Sequence, residues 1–172
     1  MFDARHAFVA MAAAGGLTVA CAARPVTPGE QPARAPAALC GDARIAFACP
    51  LQRQGWAAVC VASDGSGHLV GPDGGRAASP RHTRLSFTGG TGGYAFSTED
   101  GGVRRVVYSI SGARGFEEQG YLEQAAGASR ARRHDRCQPG SAEAPDDAAL
   151  LDAIERWPTD VELQTRGLPE RQ

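Results

Sequence analysis

Three hydrophobic patterns follow one another along the 172-residue chain. A largely apolar run occupies residues 7–20. A stretch of Ala, Pro and Arg without periodicity follows over 22–38, and then come short segments in which apolar and polar residues alternate. Alternation with period two places successive side chains on opposite faces of a strand. It predicts strands over 44–49, 56–62, 68–70, 84–88, 94–98, 103–111 and 120–124, with a last short one before Cys137. Turn-forming clusters separate them: Asp64-Gly65-Ser66-Gly67, Pro72-Asp73-Gly74-Gly75, Gly89-Gly90-Thr91-Gly92-Gly93 and Glu99-Asp100-Gly101-Gly102. Leu150, Leu151, Ile154 and Trp157 then recur at helical spacing, behind Pro145, Asp146 and Asp147 and ahead of Pro158. That predicts one short amphipathic helix, followed by a tail with little pattern that frays.

Short strands at intervals of about ten residues predict an all-β domain, an antiparallel sandwich or small barrel carrying one short C-terminal helix. In the longest strand, Val106, Tyr108 and Ile110 share a face with Arg104, and Val107 lies on the other. The cleaner apolar set, that of Val106, is assigned to the core. The expected organisation is an export segment over 1–20, a tether over 21–38, the β domain over 39–138 and the helix with its tail over 139–172.

Arg5 and His6 before an apolar run too short to span a bilayer fit a secretory signal. The run ends Leu17-Thr18-Val19-Ala20-Cys21, which resembles a bacterial lipobox with its Leu one place early. The resemblance implies lipidation of Cys21 and, with Ala22 and not Asp next, an outer-membrane lipoprotein facing the periplasm. The rival expectation is cleavage after Ala22 and a soluble periplasmic or secreted protein. Pro25, Pro28, Pro32 and Pro36 make the following stretch an extended spacer. Cysteine parity agrees with lipidation, because setting Cys21 aside leaves four of the five cysteines to pair.

Composition changes the picture mainly by exclusion. A formal charge of -1 and a pI of about 6.4 leave no excess of positive charge for phosphates, so nucleic acid is not expected as a partner. All 18 basic residues are arginine, with neither Lys nor Asn in the chain. Such bias points to a GC-rich genome and discounts Gly-rich and Arg-rich runs as functional signals.

If Gln54-Gly55 is a two-residue hairpin turn, residues summing to 109 face each other. This predicts disulfides Cys49–Cys60 and, by remainder, Cys40–Cys137. On that face Ile45, Phe47 and Leu51 would meet Trp56, Ala58 and Ala62. A zinc site is not expected, since no two cysteines have C-x-x-C spacing.

The remaining constellations fall short of chemistry. The 89–93 glycine run lacks the Lys-Ser/Thr ending of a phosphate loop and reads as a flexible strand connection. There is no G-x-S-x-G elbow, and His68, His82 and His134 lack metal-ligand spacing and are expected at surface or turn positions. Asp64, Ser66 and Asp73 are too few for a calcium loop. Nothing in the sequence sets any two of Glu99, Asp100, Glu117, Glu118 and Glu123 across a cleft as a glycosidase requires. Arg130, Arg132, Arg133, His134 and Arg136 read as a charged edge strand.

Cys40, Phe47-Ala48-Cys49, Val59-Cys60-Val61-Ala62-Ser63, His68-Leu69-Val70, the segment 89–96, Val106-Val107-Tyr108-Ser109 and Arg136-Cys137 together resemble a family of small secreted bacterial proteins of uncharacterised function. The family's usual aromatic after the Leu strand is missing at Val70. The resemblance implies fold and export, not activity. Ser111-Gly112-Ala113-Arg114 is similar to a segment of the membrane-bound inhibitors of c-type lysozyme, small periplasmic β-barrel lipoproteins; here Gly115 stands where they have an aromatic, and their later Trp-Gly segment is absent. The expectation is therefore a non-enzymatic binding module of the cell envelope without cofactor or metal, its partner another protein, with Ser111, Gly112, Ala113 and Arg114 as a possible binding loop. The alternatives are inhibition of a lysozyme-like cell-wall lytic enzyme and an envelope hydrolase.

Overall fold

The computed structural model describes residue 35 and residues 37–87, 89–144 and 147–170. The export segment, Cys21 and most of the tether lie outside the described residues, as do Pro145 and Asp146. The fold is all-β with a short helical C-terminal region, as the alternation predicts. Strands β1 (Arg44–Pro50), β2 (Trp56–Val61), β3 (Gly67–Val70) and β4 (Arg76–Ala78) form one antiparallel sheet in sequence order. Strands β5 (Arg81–Phe87), β6 (Thr91–Asp100), β7 (Val103–Ser111), β8 (Glu117–Ala125) and β9 (Arg133–Arg136) form a second, also in order. Phe47, Leu51, Val59 and Leu69 from the first sheet meet Phe96, Val107 and Tyr121 from the second in one buried cluster. The result is a sandwich, stitched along one edge where Leu51 bridges Cys137 and the backbone amides of Gln52 and Gln138 donate to the Arg136 and Pro50 carbonyls.

The register of β1 on β2 departs from expectation. Pro50 faces Trp56, Cys49 faces Ala57 and Ala48 faces Ala58, so opposed residues sum to 106, and a bulge between Ile45 and Phe47 shifts the rest. The turn is longer than two residues: the Leu51 amide donates to the Gly55 carbonyl around Gln52, Arg53 and Gln54. Gly55 adopts φ +81, and a Cβ there would lie 2.0 Å from the Pro72 carbonyl oxygen, so position 55 admits no side chain.

Changing the sum from odd to even swaps the faces. Cys49 points between the sheets with Phe47 and Leu51, whereas Cys60 points outward with Ala48, Ala58 and Val70. The expected Cys49–Cys60 and Cys40–Cys137 bridges are therefore replaced by Cys40–Cys60 and Cys49–Cys137, each with a Cα separation of 5.6 Å. The first pins the entering chain to the outer face of the first sheet, where Leu39 and Ala43 pack and the Arg76 guanidinium donates to the Ala38 and Leu39 carbonyls. The second joins the two sheets beside the stitched edge. Ala35 is already docked, its amide donating to Glu143 Oε1 at 2.9 Å.

The core face of β7 is also corrected. Val107 lines the inter-sheet core, while Val106, Tyr108 and Ile110 lie on the outer face with Leu85 and Leu122. That face is buried because the C-terminal region returns across it. Helix α1 (Ala148–Glu155), capped by the Asp147 carboxylate on the Leu150 amide, puts Leu150, Ala153 and Ile154 into the inter-sheet core and leaves Leu151 half exposed. After Pro158 the described part of the tail has regular structure where none was expected. It forms a second helix, α2 (Val161–Arg166), whose Leu163 covers the Val106 face.

The glycine run is largely strand. Gly92 and Gly93 belong to β6, and a Cβ on Gly93 would lie 2.0 Å from the Ser109 carbonyl oxygen, so this glycine is what lets β6 and β7 pair closely. Among the described residues no helix is long and apolar enough to cross a membrane.

Candidate binding surface at the β7–β8 loop

The four candidate loop residues fall at the end of β7 and in the connection to β8. Ser111 pairs with Glu117, and the Gly112 amide donates to the Phe116 carbonyl at 2.8 Å, closing a five-residue loop. Inside it, Ala113–Gly115 makes one 3-10 turn. Gly112 lies so close to Thr91 that a Cβ would come within 2.6 Å of its Oγ1, which seats the loop on β6.

Arg114 stands at the tip with φ 62 and ψ 27, the left-handed conformation that side chains other than glycine seldom adopt. It is exposed and, among the described residues, has no acidic partner. Phe116 follows two residues later with 46 % of its surface exposed, one of few large apolar side chains so displayed. Sequence patterning missed Phe116, because a lone aromatic beside a turn carries no periodic signal.

Beside this loop a cavity of about 420 Å³ opens between the start of β8 and the chain after β9. Glu118 and Arg136 on its wall are 3.1 Å apart. The Tyr108 hydroxyl donates to Glu118 Oε1 at 2.9 Å and lies 2.8 Å from His134 Nε2, so three strands contribute to one polar network. On the opposite face of β8 the buried Tyr121 hydroxyl donates to Glu123 at 2.6 Å. Its phenol is held far above the usual range, by burial first and by the Glu123 carboxylate second.

The other sequence candidates do not converge. The arginines of the 130–136 run each meet a carboxylate: Arg130 with Glu170, Arg132 with Glu123, Arg133 with Asp135 and Arg136 with Glu118. Glu99 and Asp100 are exposed at the end of β6, and Glu117 accepts from the Gln119 amide. Asp64 and Asp73 shape their turns by accepting from Ser66 and Gly75, and the Ser66 bonds hold the Asp64 carboxyl below its usual value.

The three histidines occupy strands rather than turns. His68 lies on β3, His82 on β5 stacks on Phe96 at 5.3 Å, and His134 lies on β9. Among the described residues no three His, Cys, Asp or Glu side chains are placed to hold a metal ion. Comparison of the chain with family models, with curated proteins and with solved structures finds no match.

Proposed function

We propose that the chain is an exported, lipid-anchored, non-enzymatic β domain that binds another protein in the cell envelope through the β7–β8 loop. The observation that carries this reading is the pairing, two residues apart, of a cation without a partner among the described residues and a half-exposed aromatic on a hydrogen-bonded loop. Arginine and aromatic side chains dominate the energetics of protein interfaces, and a loop closed on itself loses little freedom when it docks. A photo-crosslinker replacing Phe116 in the native cell is expected to give a discrete protein adduct. Arg114→Glu should abolish it, and the same probe at Leu151 should give none. Equal adducts at both positions, or none at Phe116, would overturn the reading.

A second reading, inhibition of a c-type lysozyme, is favoured by one observation: Arg114 of the Ser111-Gly112-Ala113-Arg114 segment is at the loop tip, where a guanidinium can enter an acidic cleft. Purified protein in large excess should then slow lysis of cell walls, and unchanged lysis removes this reading alone.

A further inference from the structure

The cavity beside the loop has a lining that selects its ligand. Gln52 and Gln138 flank the Leu51–Cys137 bridge, each bracing the strand of the other: Gln52 Nε2 donates to the Cys137 carbonyl at 3.1 Å and Gln138 Nε2 to the Leu51 carbonyl at 3.3 Å. Because each acceptor is a carbonyl, the orientation of both amides is settled, and each keeps one oxygen acceptor and one further N–H for a ligand. The Cys49–Cys137 disulfide fixes this floor covalently. Arg136, half exposed, is held by Glu118 on the same wall, and Phe116 stands at the mouth.

Each alternative ligand class meets an obstacle. An anion meets the Glu117 and Glu118 carboxylates, and a cation meets Arg136. A purely apolar molecule would leave the amides unpaired as it displaced their water. What fits is a neutral molecule rich in groups that both donate and accept, with one apolar face for the aromatic ring. The volume of about 420 Å³ lies within the range of about 300 to 1,000 Å³ usual for small-ligand sites.

We infer that this cavity is a carbohydrate site that takes an N-acetylated amino-sugar unit of a longer glycan. Vicinal hydroxyls match planar amide and guanidinium groups, the C–H face of the pyranose stacks on Phe116, and the acetamido group pairs with a glutamine amide. Its methyl lies against Pro139 and Ala142. The inference does not rest on the protein-partner reading: the two share Phe116, but the cavity does not include Arg114, the cation at the loop tip.

The test is titration of the oxidised full chain, ¹⁵N-labelled, with a β-1,4-linked N-acetylglucosamine tetramer, following the Gln52 and Gln138 side-chain amide resonances. Saturable shifts with a dissociation constant of about 1 mM or tighter are expected. Gln138→Ala should weaken binding at least about fivefold, a loss on the scale of one hydrogen bond. Phe116→Ala, a change on an exposed loop that leaves the floor intact, should do the same. Arg114→Glu should leave the affinity within about twofold, separating this site from the loop-tip reading. The inference is overturned by the absence of saturable shifts, by shifts that persist undiminished in Phe116→Ala, or by equal shifts with a neutral Gly-Ser peptide, which would mark the cavity as a seat for protein backbone.

Discussion

One guanidinium nitrogen of Arg104 lies 2.9 Å from both carboxylate oxygens of Asp160, and both side chains are almost wholly buried. The carboxylate is further held by the Ser97 hydroxyl at 2.5 Å and the Leu163 amide at 3.1 Å, and Arg104 reaches Glu162 at 2.6 Å. This group locks the tail onto the second sheet. Removing one partner leaves the other charge buried and uncompensated, so Asp160→Ala should cost about 3 to 5 kcal/mol in urea unfolding. Arg104→Met combined with Asp160→Leu should recover part of that loss, since the pair of charges is gone but the Ser97 hydroxyl and the Leu163 amide still lack the carboxylate.

The disulfide assignment is checked by one digest. Cleavage after arginine puts the four cysteines on separate peptides, 35–44, 45–53, 54–76 and 137–156. Without reduction, 35–44 should remain joined to 54–76 and 45–53 to 137–156, and any other linkage contradicts the β1–β2 register. In the chain-entropy picture the bridge spanning 88 residues contributes about 4 to 5 kcal/mol and the one spanning 20 about 3 kcal/mol. Replacing Cys49 and Cys137 together should therefore destabilise more than replacing Cys40 and Cys60.

Arg114 holds a conformation that suits glycine better. Arg114→Gly should raise the unfolding free energy by about 0.5 to 1 kcal/mol, the relief of left-handed strain less the added freedom of the unfolded chain. Under the proposed function the same variant should lose its partner, so a melt and the Phe116 crosslink should move in opposite directions.

Burial, aided by the nearby Arg84, pushes His82 below its usual value of 6.5, with Glu155 opposing in part. His68 is lowered likewise by burial and then by Arg76. A histidine whose folded value is depressed takes up protons more readily once unfolded, so its contribution is complete above about 6.5 and is lost as pH falls through the folded value. Urea midpoints should hold from pH 8 to 7 and decline between pH 6.5 and 5. His82→Phe, which keeps a ring against Phe96, should flatten part of that slope.

The anchor is tested at Cys21. The mature protein should partition into detergent and incorporate labelled fatty acid, and Cys21→Ser should abolish both, since each buried acyl CH₂ contributes about 0.8 kcal/mol of membrane affinity. A soluble mature chain beginning at Ala23 would refute it.

Most strands were legible in the sequence because alternation is local: the residues of β1, β2, β3 and β7 announce themselves within windows of a few positions, whereas the three residues of β4 are too few to show a period and were not predicted. What was not legible depends on events elsewhere in the chain. One extra residue in the 52–54 loop reversed the faces of Cys49 and Cys60. The Val106 face read as the core because nothing local says that Leu163, far along the chain, covers it. Asp160 looked like one more acidic residue in a patternless tail until Arg104, on β7, came into contact with it. Of the candidate surface, Arg114 was singled out by its motif, whereas the cavity is assembled from Gln52, Phe116 and Gln138, which no short window contains.

The Cys40–Cys60 bond also sets how the domain carries load. The chain enters at Cys40 and is covalently clipped to β2, an interior strand flanked by β1 and β3. A pull from the N-terminal side therefore bypasses β1 and arrives in the middle of the sheet, where many ladder bonds must shear at once. Without that bond the same pull would peel β1 away from its N-terminal end, one pair at a time. With the second bond holding β1 to the chain beyond β9, tension from a tether would be borne by sulfur and by sheared strands, so reduction should lower the unfolding force as well as the melting temperature.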